Sequence, residues 1–238
     1  MTAIRKAAAI GGGVIGAGWV ARLALNGIDV AVFDPDPEAA RKVGEVMKGA
    51  RRAYKQMLPD GLPREGKITY AATIAETVAG ADFIQESVPE RLELKHKVLA
   101  EIDAHARADA LIGSSTSGLK PTDMQAPMAR PERLVVAHPF NPVYLLPLVE
   151  IVAGEKTDPA MVEKARNVYA AIGMKPVVIR KEIEAFVGDR LLEAAWREAL
   201  WLIKDGICTV EELDDIMRYS FGLRWAQMGM FQVYRIAG

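Results

Sequence analysis

A histidine and a carboxylate at a fixed spacing are the residues in this chain best suited to move a proton. His138 closes the apolar run Leu134-Val135-Val136-Ala137 and is followed by Pro139, Phe140, Asn141 and Pro142. Glu150 closes the next apolar run, Leu145 to Val149, twelve residues on. A carboxylate in such a run is costly to bury unless it is paired. Paired with His138, it would orient the imidazole and stabilise its protonated form, as a general base requires. The other two histidines, His96 and His105, fall on a charged helical stretch and read as solvated. Upstream, Ser114-Ser115-Thr116-Ser117 follows another apolar run. Those hydroxyls suit either a helix cap or a hold on a substrate oxygen.

A second cluster points to a bound dinucleotide. Gly11-Gly12-Gly13-Val14-Ile15-Gly16 follows the short apolar run Ala7–Ile10 and opens a helical stretch. In such a loop Gly11 permits the tight turn, Gly13 admits a pyrophosphate, and Gly16 lets helix and strand pack closely. The helix start then offers free N–H groups to phosphate. A bare glycine pattern is weak, but here a second apolar run ends in Asp34, 23 residues after Gly11. That is where ribose hydroxyls need an acceptor. A carboxylate there repels a 2′-phosphate, so NAD is expected rather than NADP. No metal ion is expected.

These residues need elements to hold them. Apolar runs at Ala7–Ile10, Val30–Phe33, Ile68–Tyr70, Phe83–Ser87, Leu111–Ser114, Leu134–His138, Leu148–Val152 and Val177–Ile179 read as strands. Helix-period stretches separate most of them, at Gly16–Asn26, Pro35–Met57, Glu90–Ala106 and Pro159–Ile172. Leu58–Gly66, with two prolines and two glycines, reads as a loop. Strands apolar throughout and separated by helices predict a parallel sheet covered on both faces. From Glu184 onward the pattern is helical only. Val187, Leu191, Ala195, Ala199 and Leu202 mark one apolar face, extended by Trp196, Leu200 and Ile203. Gly206 stops that helix, and Thr209 with Glu212 forms a capping box for the next. The expected fold class is α/β: a doubly wound Rossmann-type sheet over residues 1–182, then a helical domain over 183–238.

Composition excludes several classes. Net charge is −1, which favours neither nucleic acid nor an anionic membrane surface. No apolar run approaches the roughly 20 residues that span a bilayer. The N-terminal MTAIRKAAAI lacks a signal-peptide core. Cys208 is the single cysteine, which fits a reducing cytoplasm.

Taken together, GGGVIGAGW, QESVPERLELK, SSTSG, HPFNPVYLLPLVEI and FVGDRL resemble the 3-hydroxyacyl-CoA dehydrogenase family in order and spacing, across essentially the whole chain. The resemblance implies a catalytic dyad of His138 and Glu150, with Ser117 on the substrate oxygen and Asn141 beside the nicotinamide. It implies that Glu90 and Lys95 touch the cofactor, and that the helical domain makes a homodimer. It also implies further helices beyond Gly238, so the helical part is expected to be partial. The match is nearer to the carnitine-oxidising subgroup, with L-gulonate-oxidising (lambda-crystallin) enzymes the next relatives. The wider family usually has asparagine where this chain has Asp189.

The expected reaction is therefore NAD-dependent oxidation of a 3-hydroxy acid, L-carnitine first, with L-gulonate or a 3-hydroxyacyl-CoA as alternatives. A quaternary ammonium has no N–H and is best held by aromatic faces and a carboxylate. Phe140 and Tyr144 flank His138, and Asp189 could supply the charge or simply favour its helix N-terminus. Trp196, Trp201 and Trp225 lie in the helical part, as core or as cage. A crystallin-like structural protein and a nucleotide-sensing module share the fold. Intact His138 and Glu150 argue against the first, and the second needs no dyad.

Overall fold

The computed structural model describes residues 4–58, 61 and 63–237. Positions 1–3 of the N-terminal segment, and 59, 60 and 62 of the expected loop at Leu58–Gly66, lie outside the described residues.

Strand β1 (Lys6–Ile10) carries three consecutive alanines, which let helix α1 (Val14–Leu25) lie close. Leu25 is its last residue, and Gly27 beyond it takes φ +82°, the left-handed turn that favours glycine. The chain continues through β2 (Asp29–Phe33), α2 (Ala39–Met57), β3 (Ile68–Tyr70) and α3 (Ile74–Val78). Then come β4 (Phe83–Glu86), α4 (Leu92–His105), β5 (Leu111–Ser114), α5 (Pro121–Met124), β6 (Leu134–Pro139) and β7 (Leu148–Ala153). Helix α6 (Pro159–Ala171) starts with proline, and the Asp158 carboxylate accepts the Ala160 N–H at 2.8 Å. Strand β8 (Lys175–Ile179) completes one sheet of order β3-β2-β1-β4-β5-β6-β7-β8.

Alternate residues feed opposite cores. Ala7 and Ala9 pack with α1, α2 and α6, while Ala8 and Ile10 pack with α3, α4 and α5. A sheet buried on both faces has apolar residues throughout each strand, and this is the doubly wound α/β arrangement expected. One part departs from expectation. The sheet is not wholly parallel: β7 runs antiparallel to β6, and β8 runs parallel to β7. No helix lies between β6 and β7, and without a crossover the chain returns beside itself in the opposite direction.

A buried ion pair ties α4 to the start of β6. Asp103 and Arg133 are 2% and 0% exposed and hydrogen-bond each other. Burial pushes the Asp103 carboxyl up, but hydrogen bonds from Arg133 and from the N–H groups of Arg130 and Ala129 outweigh it, and its pKa falls below the ordinary 3.8. A lowered folded-state pKa stabilises above the unfolded value and is lost as pH falls through the folded one. Asp103→Asn is therefore expected to lower Tm clearly at pH 7, and the deficit should shrink as pH drops below about 4. Thermal melts of both proteins from pH 3 to pH 7 check this. A deficit that does not vary with pH contradicts it.

Residues up to Phe186 form one compact unit, and those from Val187 form a second. The second holds helices only: α7 (Gly188–Lys204), α8 (Val210–Tyr219), α9 (Phe221–Gln227) and α10 (Met230–Ala237). Gly206, at φ +69°, follows α7. The Thr209–Glu212 capping box forms as expected. The apolar stripe of α7 is not core: none of its residues is buried, and Trp196 is 57% exposed. Among the described residues, no helix is long and apolar enough to cross a membrane.

Candidate active site

The dyad is made by sheet register. In the antiparallel pair β6–β7, His138 stands directly opposite Glu150. Directly opposed residues put their side chains on one face within reach of each other. His138 Nδ1 lies 2.9 Å from Glu150 Oε2, with both residues under 4% exposed. The twelve-residue spacing seen in the sequence is thus a cross-strand contact. With Nδ1–H given to the carboxylate, Nε2 is left with the lone pair that a base needs. Two aromatic rings flank the imidazole, Phe140 at 4.9 Å and Phe186 at 5.4 Å between centroids. Phe186 is fully buried and has φ +47°, after Ala185 at +58°. That backbone is strained for non-glycine residues, and packing holds it there. Only the FVGDRL resemblance hinted at Phe186.

Tyr144 does not share this setting, contrary to expectation. It packs against the other core, and its hydroxyl lies against Gly49 of α2. The reason is Arg22, buried in α1, whose guanidinium donates to the carbonyls of Val143, Leu146, Ile172 and Gly173 at 2.8–3.3 Å. That clamp draws the segment after Pro142 onto α1. An arginine inside the otherwise apolar run VIGAGWVARLAL was the overlooked signal.

Loops at the carboxyl ends of β4, β5 and β6 carry the other candidates. Ser117 and Asn141 are exposed there. Exposed Glu90 accepts the N–H groups of Ser117 and Gly118, both at 3.1 Å, and the Thr116 hydroxyl. Lys95 is 1% exposed, not presented to solvent. Its ammonium meets Glu86 at 2.8 Å, the Val88 carbonyl at 3.1 Å and Glu90 at 3.5 Å. With those three acceptors, Lys95 braces the loop that carries Glu90. Buried Glu86 was missed. Its signal was a polar pair, Gln85-Glu86, closing an apolar strand, opposite a lysine on the Leu92–Leu99–Ile102 stripe of α4.

The glycine loop sits where β1 meets α1. Gly11 has φ +101°, and a Cβ there would lie 2.6 Å from the Ser87 carbonyl oxygen. A Cβ on Gly16 would lie 1.9 Å from the Gly11 carbonyl oxygen, whereas one on Gly13 would meet nothing within 4 Å. Helix α1 starts at Val14 with no side-chain cap, so its first N–H groups are available to a phosphate. Asp34 accepts the Gly12 N–H at 2.6 Å and the Asp36 N–H at 2.8 Å. A carboxylate has about four acceptor sites, so two remain for ribose hydroxyls. A cavity of about 570 Å³ opens here, lined by Gly13, Val14, Ile15 and Asp34 with Leu94 and Val98 as an apolar wall. The open space at Gly13, the uncapped helix and the carboxylate fit a dinucleotide.

Sequence comparison agrees with this geometry. A family model described as "3-hydroxyacyl-CoA dehydrogenase, NAD binding domain" matches residues 6–183. The chain belongs to the 3-hydroxyacyl-CoA dehydrogenase family. The family's C-terminal domain matches residues 186–238. Among curated family members, an L-carnitine dehydrogenase of Mesorhizobium japonicum is 82% identical over 100% of this chain and 66% of its own length. An L-carnitine dehydrogenase/betainyl-CoA thioesterase of Rhizobium meliloti is 67% identical over 100% of this chain and 48% of its own length. The chain thus spans about half to two thirds of these relatives. A solved 5-formyl-3-hydroxy-2-methylpyridine 4-carboxylic acid 5-dehydrogenase, an NAD+-dependent dismutase, superposes with TM-score 0.92 at 35% identity, covering 99% of this chain and 76% of that one.

In the helical domain of this family member, Asp189 lies in the first turn of α7. The Trp225 and Phe221 rings lie 4.8 Å apart, tilted at 56°, and the Lys204 ammonium lies 4.1 Å from the centre of the Trp201 ring. Trp201 and Trp225 are 51% and 38% exposed, so neither is buried as a core residue.

Proposed function

We propose that this chain oxidises the 3-hydroxyl of L-carnitine to 3-dehydrocarnitine with NAD. The observation that carries this reading is the buried His138–Glu150 pair, in a chain 82% identical to an L-carnitine dehydrogenase. His138 Nε2 takes the hydroxyl proton, and Glu150, on Nδ1, stabilises the resulting imidazolium. Ser117 and Asn141, on the loops after β5 and β6, hold the substrate oxygen. Phe140 supplies an apolar wall beside the imidazole. NAD, when bound, supplies the hydride acceptor. Glu90, exposed beside the Ser117 turn, faces the cofactor, and Lys95 holds Glu90 in place. Asp34 takes the adenosine ribose hydroxyls and repels a 2′-phosphate. In this reading the enzyme is a cytoplasmic homodimer, on the family's pattern and the single thiol.

The test is formation of NADH or NADPH with L-carnitine, D-carnitine, L-gulonate and 3-hydroxybutyryl-CoA, each with NAD and with NADP. The highest kcat/KM is expected for L-carnitine with NAD. A higher value on L-gulonate or the acyl-CoA overturns the substrate assignment and leaves a dehydrogenase. Preference for NADP overturns the role of Asp34. No turnover on any of the four supports a structural or sensing protein instead.

A further inference from the structure

A buried hydrogen-bond chain runs from α6 to the glycine loop, and its polarity can be worked out from donor and acceptor chemistry. Tyr169 is fully buried, and its hydroxyl lies 2.6 Å from Gln85 Oε1. Burial pushes its pKa well above 10, so the phenol keeps its proton. Among the described residues, Gln85 is the one acceptor that Tyr169 meets. Turning the Gln85 amide over would leave the tyrosine proton buried without an acceptor, which is costly. The amide orientation is therefore set, and Gln85 Nε2 donates to Ser115 Oγ at 2.8 Å. Trp19, buried in α1, donates to the same oxygen at 3.0 Å, and an indole N–H only donates. Ser115 Oγ thus has both lone pairs filled. Its own hydrogen is left for Ser87 Oγ, 2.9 Å away. Ser87 must accept there, so its own hydrogen is free to point elsewhere. Ser87 lines the 570 Å³ cavity with Gly11 and Gly13.

We propose that Ser87 is a cofactor-binding hydroxyl that donates to an oxygen of the dinucleotide, its donor direction set by Tyr169, Gln85, Trp19 and Ser115. Ser115 is then a positioning residue and not the hold on substrate that its serine-rich turn suggested. The proposal rests on the reading that this cavity holds NAD. Its chemistry is a neutral hydroxyl donor aimed at an acceptor oxygen, beside the free N–H groups of α1.

Calorimetric titration of NADH into the purified chain and its variants, with no substrate present, tests this. Ser87→Ala is expected to weaken NADH binding about fivefold to tenfold with Tm nearly unchanged. Ser87→Thr, which keeps the hydroxyl, should recover affinity to within about twofold. Tyr169→Phe removes a hydroxyl that does not line the cavity and frees the Gln85 amide to turn. It should still weaken NADH binding by about twofold to threefold. A purely structural role would lower Tm without moving Kd, and that result overturns the proposal. Wild-type protein that binds NADH, with Ser87→Ala within twofold of it, overturns the proposal alone. Wild-type protein that fails to bind NADH overturns the underlying reading as well.

Discussion

Replacing His138 by alanine is expected to lower kcat by about 10²–10⁴-fold, the usual contribution of a positioned general base. NADH affinity should stay within about twofold. The two effects separate because the imidazole stands at the end of β6, while the cofactor cavity is built from β1, β2, β4 and their loops. Glu150→Gln is the finer test. A glutamine there is nearly the same size but carries no charge to stabilise an imidazolium. Its amide N–H₂, turned toward Nδ1, would also favour the tautomer with the proton on Nε2, which cannot act as a base. A loss of about 10²-fold or more in kcat is expected, with NADH binding retained. Steady-state rates and NADH titration measure both. A His138→Ala protein within a few-fold of wild type removes the proton-transfer role.

The second large effect is expected in the glycine loop, where two neighbouring glycines should respond differently. A methyl on Gly16 would lie 1.9 Å from the Gly11 carbonyl oxygen, and this neighbour is backbone, so it cannot rotate away. The start of α1 must move. Overpacking of this kind costs about 1–3 kcal/mol or more, and misplacement near 1 Å disables a binding geometry. Gly16→Ala should therefore lose both stability and NADH affinity, the latter by tenfold or more. Gly13→Ala meets nothing within 4 Å, so its Tm should hold. Its methyl enters the space that a pyrophosphate would take, and NADH affinity should still fall about tenfold. Paired melts and NADH titrations decide this. Gly16→Ala with wild-type Tm and affinity would contradict the close helix–strand contact. Gly13→Ala with wild-type affinity would place the pyrophosphate elsewhere.

Several site residues were legible in advance and others were not, and the division follows interaction range. The glycine loop, Asp34 at the end of β2 and the Thr209–Glu212 cap depend on neighbours in the chain, so residue type and spacing describe them. Lys95 was named through the resemblance alone, because what it pairs with is not local in the chain. Its ammonium is paired with Glu86, nine residues away and on a different element. Trp19, Gln85, Ser87 and Ser115 form one network with sequence separations of 28 to 96 residues, and no local pattern announces such a meeting.

By itself the sequence determined that strands apolar on both faces alternate with helices, that a dinucleotide loop opens the first helix, and that His138 and Glu150 each end an apolar run, twelve residues apart. These follow from side-chain period and backbone stereochemistry, which act within a few residues. Only the tertiary structure decided that β7 turns back antiparallel, which puts Glu150 opposite His138 on one face of the sheet. A shift of one residue in that register would have sent one of the two side chains to the other face. The tertiary structure also sent Tyr144 to the opposite core, because the buried Arg22 guanidinium gathers carbonyls from two distant loops. Strand direction, register and the side of the sheet on which a side chain lands are set by pairing between segments far apart in the chain, and the tertiary fold alone decides them.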